Sequence, residues 1–465
     1  MSLSERLRAA QGPQVDPASA PNFGHGTATA TVNDPLAALK TRVSEALLGR
    51  LGTRLYDASL SAAQLNQQVV EELSKVLDEE TVPLTDTERD QIVAEISDDV
   101  LGYGPIERFL ADPTVTEIMV NGGNAIYIER AGKLQRTDER FGSDARLRQV
   151  IDKIVSAVGR RIDESSPMVD ARLADGSRVN AVIAPLAIDG PVLTIRKFAK
   201  KRLSVADLVS FGTLTDEATE FLSACVAGRL NILISGGTGT GKTTMLNVMS
   251  SLISEDERIV TIEDAAELQL DQGHLIRLES RPVNLEGRGE VSIRDLVRNA
   301  LRMRPDRIIV GEVRGAETLD MLQAMNTGHD GSLSTVHANS PRDALFRLET
   351  MTLMAGMELP LRAIRDQIAS ALDVVVHLSR LRDGTRRVTQ ISEVAGTEGD
   401  VVSLSDIFAF DYSAGFGEDG RHQGALAPTG LRPGFAEKLR DYGIELPARL
   451  LGIDAASLHR PGARR

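Results

Sequence analysis

A chain of 465 residues is too long for one ordinary core and implies two or three domains. Its formal charge of −13, and a 3% aromatic content without tryptophan, argue against a general nucleic-acid binder that stacks bases, although a local basic channel is compatible with an acidic total. A single cysteine, Cys225 in an apolar run, excludes internal disulfides and a thiolate-clustered zinc site. No stretch of about eighteen uncharged apolar residues occurs and the N-terminus lacks a signal-peptide core, so the expectation is a cytoplasmic protein whose membrane business goes through partners.

Residues 1–34 mix Gly, Pro, Ala, Ser and Thr without periodicity and read as a disordered tail. Over 35–110 the apolar residues take helical spacing: Leu36, Leu39, Val43 and Leu47, then Val69, Val70, Leu73 and Leu77, then Ile92, Val93, Ile96 and Val100. These predict a small bundle of three helices, the third opened by the capping-box pattern Thr85-Asp-Thr-Glu88 and closed at Gly102. Residues 111–198 change period. Strand-like runs at 117–120, 125–129 and 192–196 surround one helix from Arg146 to about Val158, which makes an α+β domain. Its later part carries Arg160, Arg161, Arg172, Arg178 and Arg196. These are either ordinary surface charges or cations delivered to a phosphate.

A basic linker at 199–202 leads into 203–410, where apolar runs near 231–235, 259–263, 307–313, 333–337 and 374–378 alternate with helix-length segments. Such alternation predicts an α/β domain with a mostly parallel sheet. Residues 411–465 read as an extension with a glycine-rich turn region and a helical end over 434–451.

The chemistry concentrates after the first of those runs. Gly236-Gly-Thr-Gly-Thr-Gly241-Lys242-Thr243-Thr244 fills the pattern G-x-x-x-x-G-K-[ST] between an apolar strand and a helix start. Gly236, Gly237, Thr238, Gly239, Thr240 and Gly241 form a phosphate cradle of backbone N–H groups; Lys242 neutralises the outer phosphates, Thr243 is placed to ligate Mg²⁺, and Thr244 continues the helix start. ATP and Mg²⁺ are therefore the expected cofactors. Three later stretches belong with this loop. Thr261-Ile-Glu263-Asp264 ends a strand in two acids, which are either solvated caps or carboxylates for Mg²⁺ or a water. Arg307-Ile-Ile-Val-Gly-Glu312 delivers a glutamate where an aspartate is commoner, suited to polarising a water or holding Mg²⁺ through one. Thr335-Val-His337-Ala-Asn339 offers an imidazole as a phosphate donor or sensor, or as a satisfied structural histidine.

These four stretches in this order resemble the ATPases of type II and type IV secretion and type IV pili. Further lines, among them Thr116-Glu-Ile-Met-Val-Asn-Gly122, Asp170-Ala-Arg-Leu-Ala-Asp-Gly-Ser-Arg-Val-Asn180 and Gly311-Glu-Val-Arg-Gly315, resemble the CpaF/TadA branch that powers tight-adherence (Flp, type IVc) pili. The resemblance covers about 90–410. It implies a RecA-like P-loop motor domain preceded by a PAS-like α+β domain and a small helical bundle, assembled as a homo-hexamer. On the same resemblance Lys242 and Thr243 bind phosphate and Mg²⁺, Glu312 is the Walker B glutamate, Glu263 the acidic-box carboxylate and His337 the histidine-box residue, while Arg196 and Arg178 match arginines that reach the nucleotide. Inner-membrane platform proteins of TadB/TadC type are the implied partners, with no direct nucleic acid. A conjugative or protein-secretion ATPase is the nearest alternative, and a DNA-dependent RecA-like motor a remoter one.

Overall fold

The computed structural model describes residues 39, 40, 42, 43, 46, 47, 50 and 51, and then 62–80, 82–100, 102–130, 132–198, 202–283 and 288–452. The expected tail over 1–34, most of the 199–202 linker and the last thirteen residues lie outside them. Two compact units divide the chain, residues 1–200 and 201–465.

In the first unit the helical spacing is realised as a small core. Leu39, Val43, Leu47 and Leu51 pack with Val69, Leu73, Val76, Leu77, Ile92 and Ile96, drawn partly from helices Ala62–Glu79 and Asp86–Val100. Val70 faces outward, because a helix buries only one stripe and Val69 and Leu73 already occupy it. The capping box forms: the Glu88 carboxylate accepts from Thr85 N–H at 2.9 Å, and Glu88 N–H donates to Thr85 Oγ1 at 3.4 Å.

The rest of this unit is a six-stranded antiparallel sheet: β1 (Val115–Asn121), β2 (Ile126–Arg130), β3 (Lys133–Arg136), β4 (Met168–Arg172), β5 (Arg178–Val182) and β6 (Val192–Arg196), in the order β3-β2-β1-β6-β5-β4. The helix Asp144–Ala157, capped by Ser143, buries Leu147, Val150, Ile151 and Ile154 against the sheet's core residues. Val158, expected on that face, is exposed, since it is the C-cap where the chain leaves the helix. The β5–β6 register sets Arg178 directly opposite Arg196.

The second unit holds nine strands, β7 (Ile232–Gly236), β8 (Ile259–Glu263), β9 (Leu275–Glu279), β10 (Arg307–Val310), β11 (Leu333–His337), β12 (Val374–Arg380), β13 (Arg386–Glu398), β14 (Val401–Phe410) and β15 (Leu426–Pro428). Their order is β15-β14-β13-β12-β7-β11-β10-β8-β9, parallel from β12 to β9 and antiparallel from β12 outward to β15. Both faces of the parallel part are covered. Ile232 and Ile234 join Phe221, Met245 and Leu246 on one side, and Leu233 joins Leu322, Leu345 and Ile364 on the other. This two-sided burial makes the strands read as continuous apolar runs. The fold of the second unit is RecA-like, with the strand β7 that leads into the glycine-rich loop between β12 and β11.

Three expectations need correction. The 307–313 strand ends at Val310, although Val313 N–H still reaches Thr335 O at 3.0 Å, so Glu312 stands just beyond the strand. The stretch 411–465 supplies β15 to the nine-stranded sheet, and its Phe435, Leu439 and Leu451 sit in the core of the second unit. Its helical end is short, Ala436–Asp441 followed by a 3₁₀ turn, because Gly443 takes a positive φ of 74° and Pro447 follows.

At the amino end of β10, away from the phosphate loop, Arg307 is 1% exposed. Its Nε and Nη2 donate to the two oxygens of Glu257 at 2.8 Å each, and Nη2 also reaches Val226 O at 2.8 Å. Arg229 Nη2 lies 2.9 Å from the same carboxylate, so one buried acid serves two arginines at the root of β10.

Candidate phosphate-loop site

The site grows from the carboxyl end of β7. A Cβ on Gly236 would stand 2.6 Å from Leu378 O and 2.6 Å from Thr240 Oγ1, so only glycine lets the chain turn there. Gly241 takes φ +100° as N-cap of the helix Lys242–Ser250, whose first turn carries Lys242, Thr243 and Thr244. Inside the loop, Thr240 Oγ1 donates to Gly237 O at 2.9 Å and Lys242 Nζ donates to the same oxygen at 3.0 Å. Gly237, Thr238 and Gly239 carry the chain across, and Thr238 and Gly239 are exposed.

Tertiary pairing brings the distant residues in. β11 lies beside β7 with His337 in register with Gly236, and β10 lies beside β11. Lys242 Nζ is 3.2 Å from His337 Nδ1, and His337 Nε2 is 2.8 Å from Glu312 Oε1. Thr335 Oγ1 donates to Gly311 O at 2.8 Å, which ties the histidine strand to the Gly-Glu turn. Lys242, His337 and Glu312 are therefore one contiguous group. Burial lowers the pKa of Lys242, partly opposed by the Glu312 charge. Burial likewise lowers that of His337, against the pull of Glu312 and together with repulsion from Lys242 and Arg314, which favours a neutral imidazole.

One participant was missed from the sequence. Arg314 donates from Nη2 and Nε to Glu312 Oε2, at 2.6 and 3.0 Å, and from Nη1 to Asp264 Oδ2 at 3.0 Å. Its signal was the Glu-Val-Arg spacing, readable only once the chain bends after Gly311. Of the acidic pair, Asp264 thus joins the Glu312 network directly, whereas Glu263 lies beneath it. Glu263 Oε2 accepts from the N–H groups of Glu267 and Leu268 at 2.8 and 3.0 Å, and its Cγ would stand 2.9 Å from a Cβ on Gly311. Oε1 is buried without a hydrogen-bond partner among the described residues. Arg178 and Arg196 belong to the first unit, where Arg196 Nε is 3.8 Å from Glu117 Oε1.

Burial outweighs the two N–H bonds and raises the Glu263 pKa to about 7. A carboxyl raised on folding favours the folded state while protonated, so this contribution is whole below its ordinary value of 4.5 and is lost as pH rises to about 7. Glu263→Gln, which keeps an acceptor without the charge, should match the wild type near pH 4.5. At pH 8 it should be the more stable, by on the order of 3 kcal/mol. Urea unfolding at both pH values checks this; equal differences at the two would refute the buried-acid assignment.

The match to known proteins fits this geometry. Residues 99–405 match the family described as type II/IV secretion system protein. A putative conjugal transfer protein of Mycobacterium tuberculosis is 38% identical over 328 residues, 69% of this chain and 93% of that relative. The chain belongs to the type II/IV secretion system protein family. Conjugal transfer protein TrbB of Rhizobium radiobacter is 34% identical over 290 residues, 62% of this chain and 86% of its own length. Among solved structures, the VirB11 ATPase of the Brucella suis type IV secretion system is 28% identical with a TM-score of 0.35, covering 62% of this chain and 95% of that one. Membership of this secretion ATPase family implies nucleotide binding. Among the described residues of this secretion-system protein, no helix is long and apolar enough to cross a membrane.

Proposed function

We propose that the protein is an ATP-hydrolysing ring motor of the CpaF/TadA type, a homo-hexamer that drives assembly of a tight-adherence pilus through inner-membrane platform proteins of TadB/TadC type. The observation that carries the reading is the contact chain Lys242–His337–Glu312 at the mouth of a glycine loop. The residues fit a nucleotide. The loop is too tight at Gly236 for a side chain, and its lysine and first helical turn stand where a polyphosphate needs cations and N–H donors. Thr243 would hold Mg²⁺ together with the phosphates, because the described residues contain no grouping of three His, Cys, Asp or Glu able to hold a metal alone. Bound Mg²⁺ supplies charge neutralisation.

In this reading Lys242 steadies the outer phosphates, Glu312 orients the attacking water and takes its proton, and His337 reports phosphate loss to β11. Glu263 shapes the turn that aims Glu312 from below. Arg178 and Arg196, opposite each other on β5 and β6, are in this reading cations for the phosphates of the nucleotide. Phosphoryl transfer leaves a protein mainly positioning and charge stabilisation to provide, and an arginine in place contributes roughly 10³- to 10⁵-fold. Arg196 is largely exposed and its ion pair with Glu117 is long, 3.8 Å, so the fold does not depend on it. Arg196→Ala should lose turnover at unchanged melting temperature; a loss of stability with normal specific activity would return it to a structural role.

The test is phosphate release and ring assembly by the purified full chain with MgATP. ATP binding without phosphate release would leave only a nucleotide-gated scaffold. The conjugal-transfer names of its relatives favour a second reading, a traffic ATPase of a conjugative or protein-secretion system. Neighbouring genes separate the two, pilin and platform genes against a relaxase. DNA-stimulated turnover would instead mark a DNA motor.

A further inference from the structure

The hairpin between β12 and β13 turns beside the phosphate loop. Leu378 O stands against Gly236, and two residues later the hairpin begins with Arg380 in register with Arg386. Its tip contains one acid, Asp383, which is occupied: its carboxylate accepts from Thr385 N–H and Oγ1 at 2.8 and 2.6 Å and from His422 N–H at 2.8 Å. The two arginines that open β13 then go opposite ways. Arg387 donates inward to Gly212 O, while Arg386, exposed, donates from Nε to Gly239 O at 2.9 Å. That oxygen belongs to the outermost turn of the phosphate loop, 147 residues away in sequence.

An exposed arginine on a neutral carbonyl adds little to fold stability. Its effect on the loop is larger. Gly239 has φ +71° and a Cβ added there would meet nothing within 4 Å, so packing at Gly239 does not fix the following peptide plane, whose far end alone is tied down through the Thr240 hydroxyl on Gly237 O. A trans peptide points its C=O and N–H in opposite directions. Holding Gly239 O toward the hairpin therefore turns the Thr240 N–H away from it.

We infer that Arg386 is a positioning residue for nucleotide binding: it fixes the Gly239–Thr240 peptide so that the Thr240 N–H is presented to the diphosphate portion shared by ADP and ATP. This rests on the nucleotide reading of the same loop. Arg386 acts through the backbone and touches no phosphate, which sets it apart from Lys242. A hydrogen bond to a charged group is worth enough that losing its alignment weakens affinity roughly tenfold.

The experiment compares wild type, Arg386→Gln, Arg386→Lys and Lys242→Ala in the full chain. Fluorescent ADP and ATP analogues are titrated with Mg²⁺, steady-state turnover is measured, and melting temperatures are recorded without nucleotide. The expected result is an equal, about tenfold, loss for both nucleotides in Arg386→Gln. Its kcat should stay within about twofold and its melting temperature should not move, while lysine, which can also donate to the carbonyl, restores most of the affinity. Unchanged affinity overturns the inference, and so does a loss that follows a fallen melting temperature. A much larger loss for ATP than for ADP overturns it in favour of direct contact with the terminal phosphate. If the wild type and Lys242→Ala alike bind neither nucleotide, the nucleotide reading falls too, an outcome distinct from failure of Arg386 alone.

Discussion

Glu312→Gln should bind MgATP within about twofold of wild type yet turn it over at least 10²-fold more slowly, the range lost when a positioned general base is removed. The substitution is nearly isosteric, so the Arg314 fork keeps an oxygen to donate to and the Gly311 turn keeps its bond to Thr335. What disappears is the charge and the basicity. Oε2 of Glu312 is held by Arg314, whereas Oε1, 2.8 Å from His337 Nε2, is buried and makes no hydrogen bond among the described residues. Oε1 is therefore the oxygen left to meet a water, and a neutral amide has neither the basicity nor the field to complete the step. Single-turnover phosphate release beside an equilibrium titration checks the prediction. Wild-type turnover in the variant would remove Glu312 from the chemistry, and lost affinity with normal single-turnover rate would make it a binding residue instead.

Glu257→Ala should destabilise the motor unit by about 3–5 kcal/mol, the usual consequence of stripping one partner from a buried ion pair. Arg307 is 1% exposed and, among the described residues, would be left with Val226 O and Gly331 O as acceptors. Arg229 loses its acid at the same time. The double variant Glu257→Leu, Arg307→Met should be far milder than the single one, because replacing both partners removes the buried charge along with its counter-charge. Urea midpoints with unchanged slopes give the comparison; a single-variant loss below about 1 kcal/mol would show that water reaches the pair. β10 carries this anchor at one end and leads to Glu312 at the other, so a loosened root should also lower turnover.

How much was legible beforehand differs between fold and site. The motor strands were readable because a strand buried on both faces must be apolar throughout, as in Asn231–Ser235 and Ile259–Glu263, and helices must alternate with it. β9 and the start of β13 escaped notice. Leu275–Glu279 is a half-exposed edge strand and β13 opens with two arginines, so neither has the composition of a buried strand. The apolar pattern over 307–313 runs past Val310, where β10 ends, since such a pattern does not mark where pairing stops.

At the site, the glycine spacing before Lys242 was enough by itself to specify a strand, a tight glycine turn and a helix start, because the need for small residues, a lysine and a helix start within nine positions is local chemistry. The same holds for the capping box at Thr85. The meeting of Lys242 with His337 and Glu312 is of another kind. It depends on β11 lying between β7 and β10, an order no local preference encodes, and it places residues 95 apart in sequence within hydrogen-bonding reach. Arg314 on Glu312, Arg386 on Gly239 and Arg307 on Glu257 likewise arise only when sheet order and register are set. Local chemistry thus determined the form of the glycine loop, and the packing of its strands decided which side chains surround it, because proximity across a sheet is a property of the whole core.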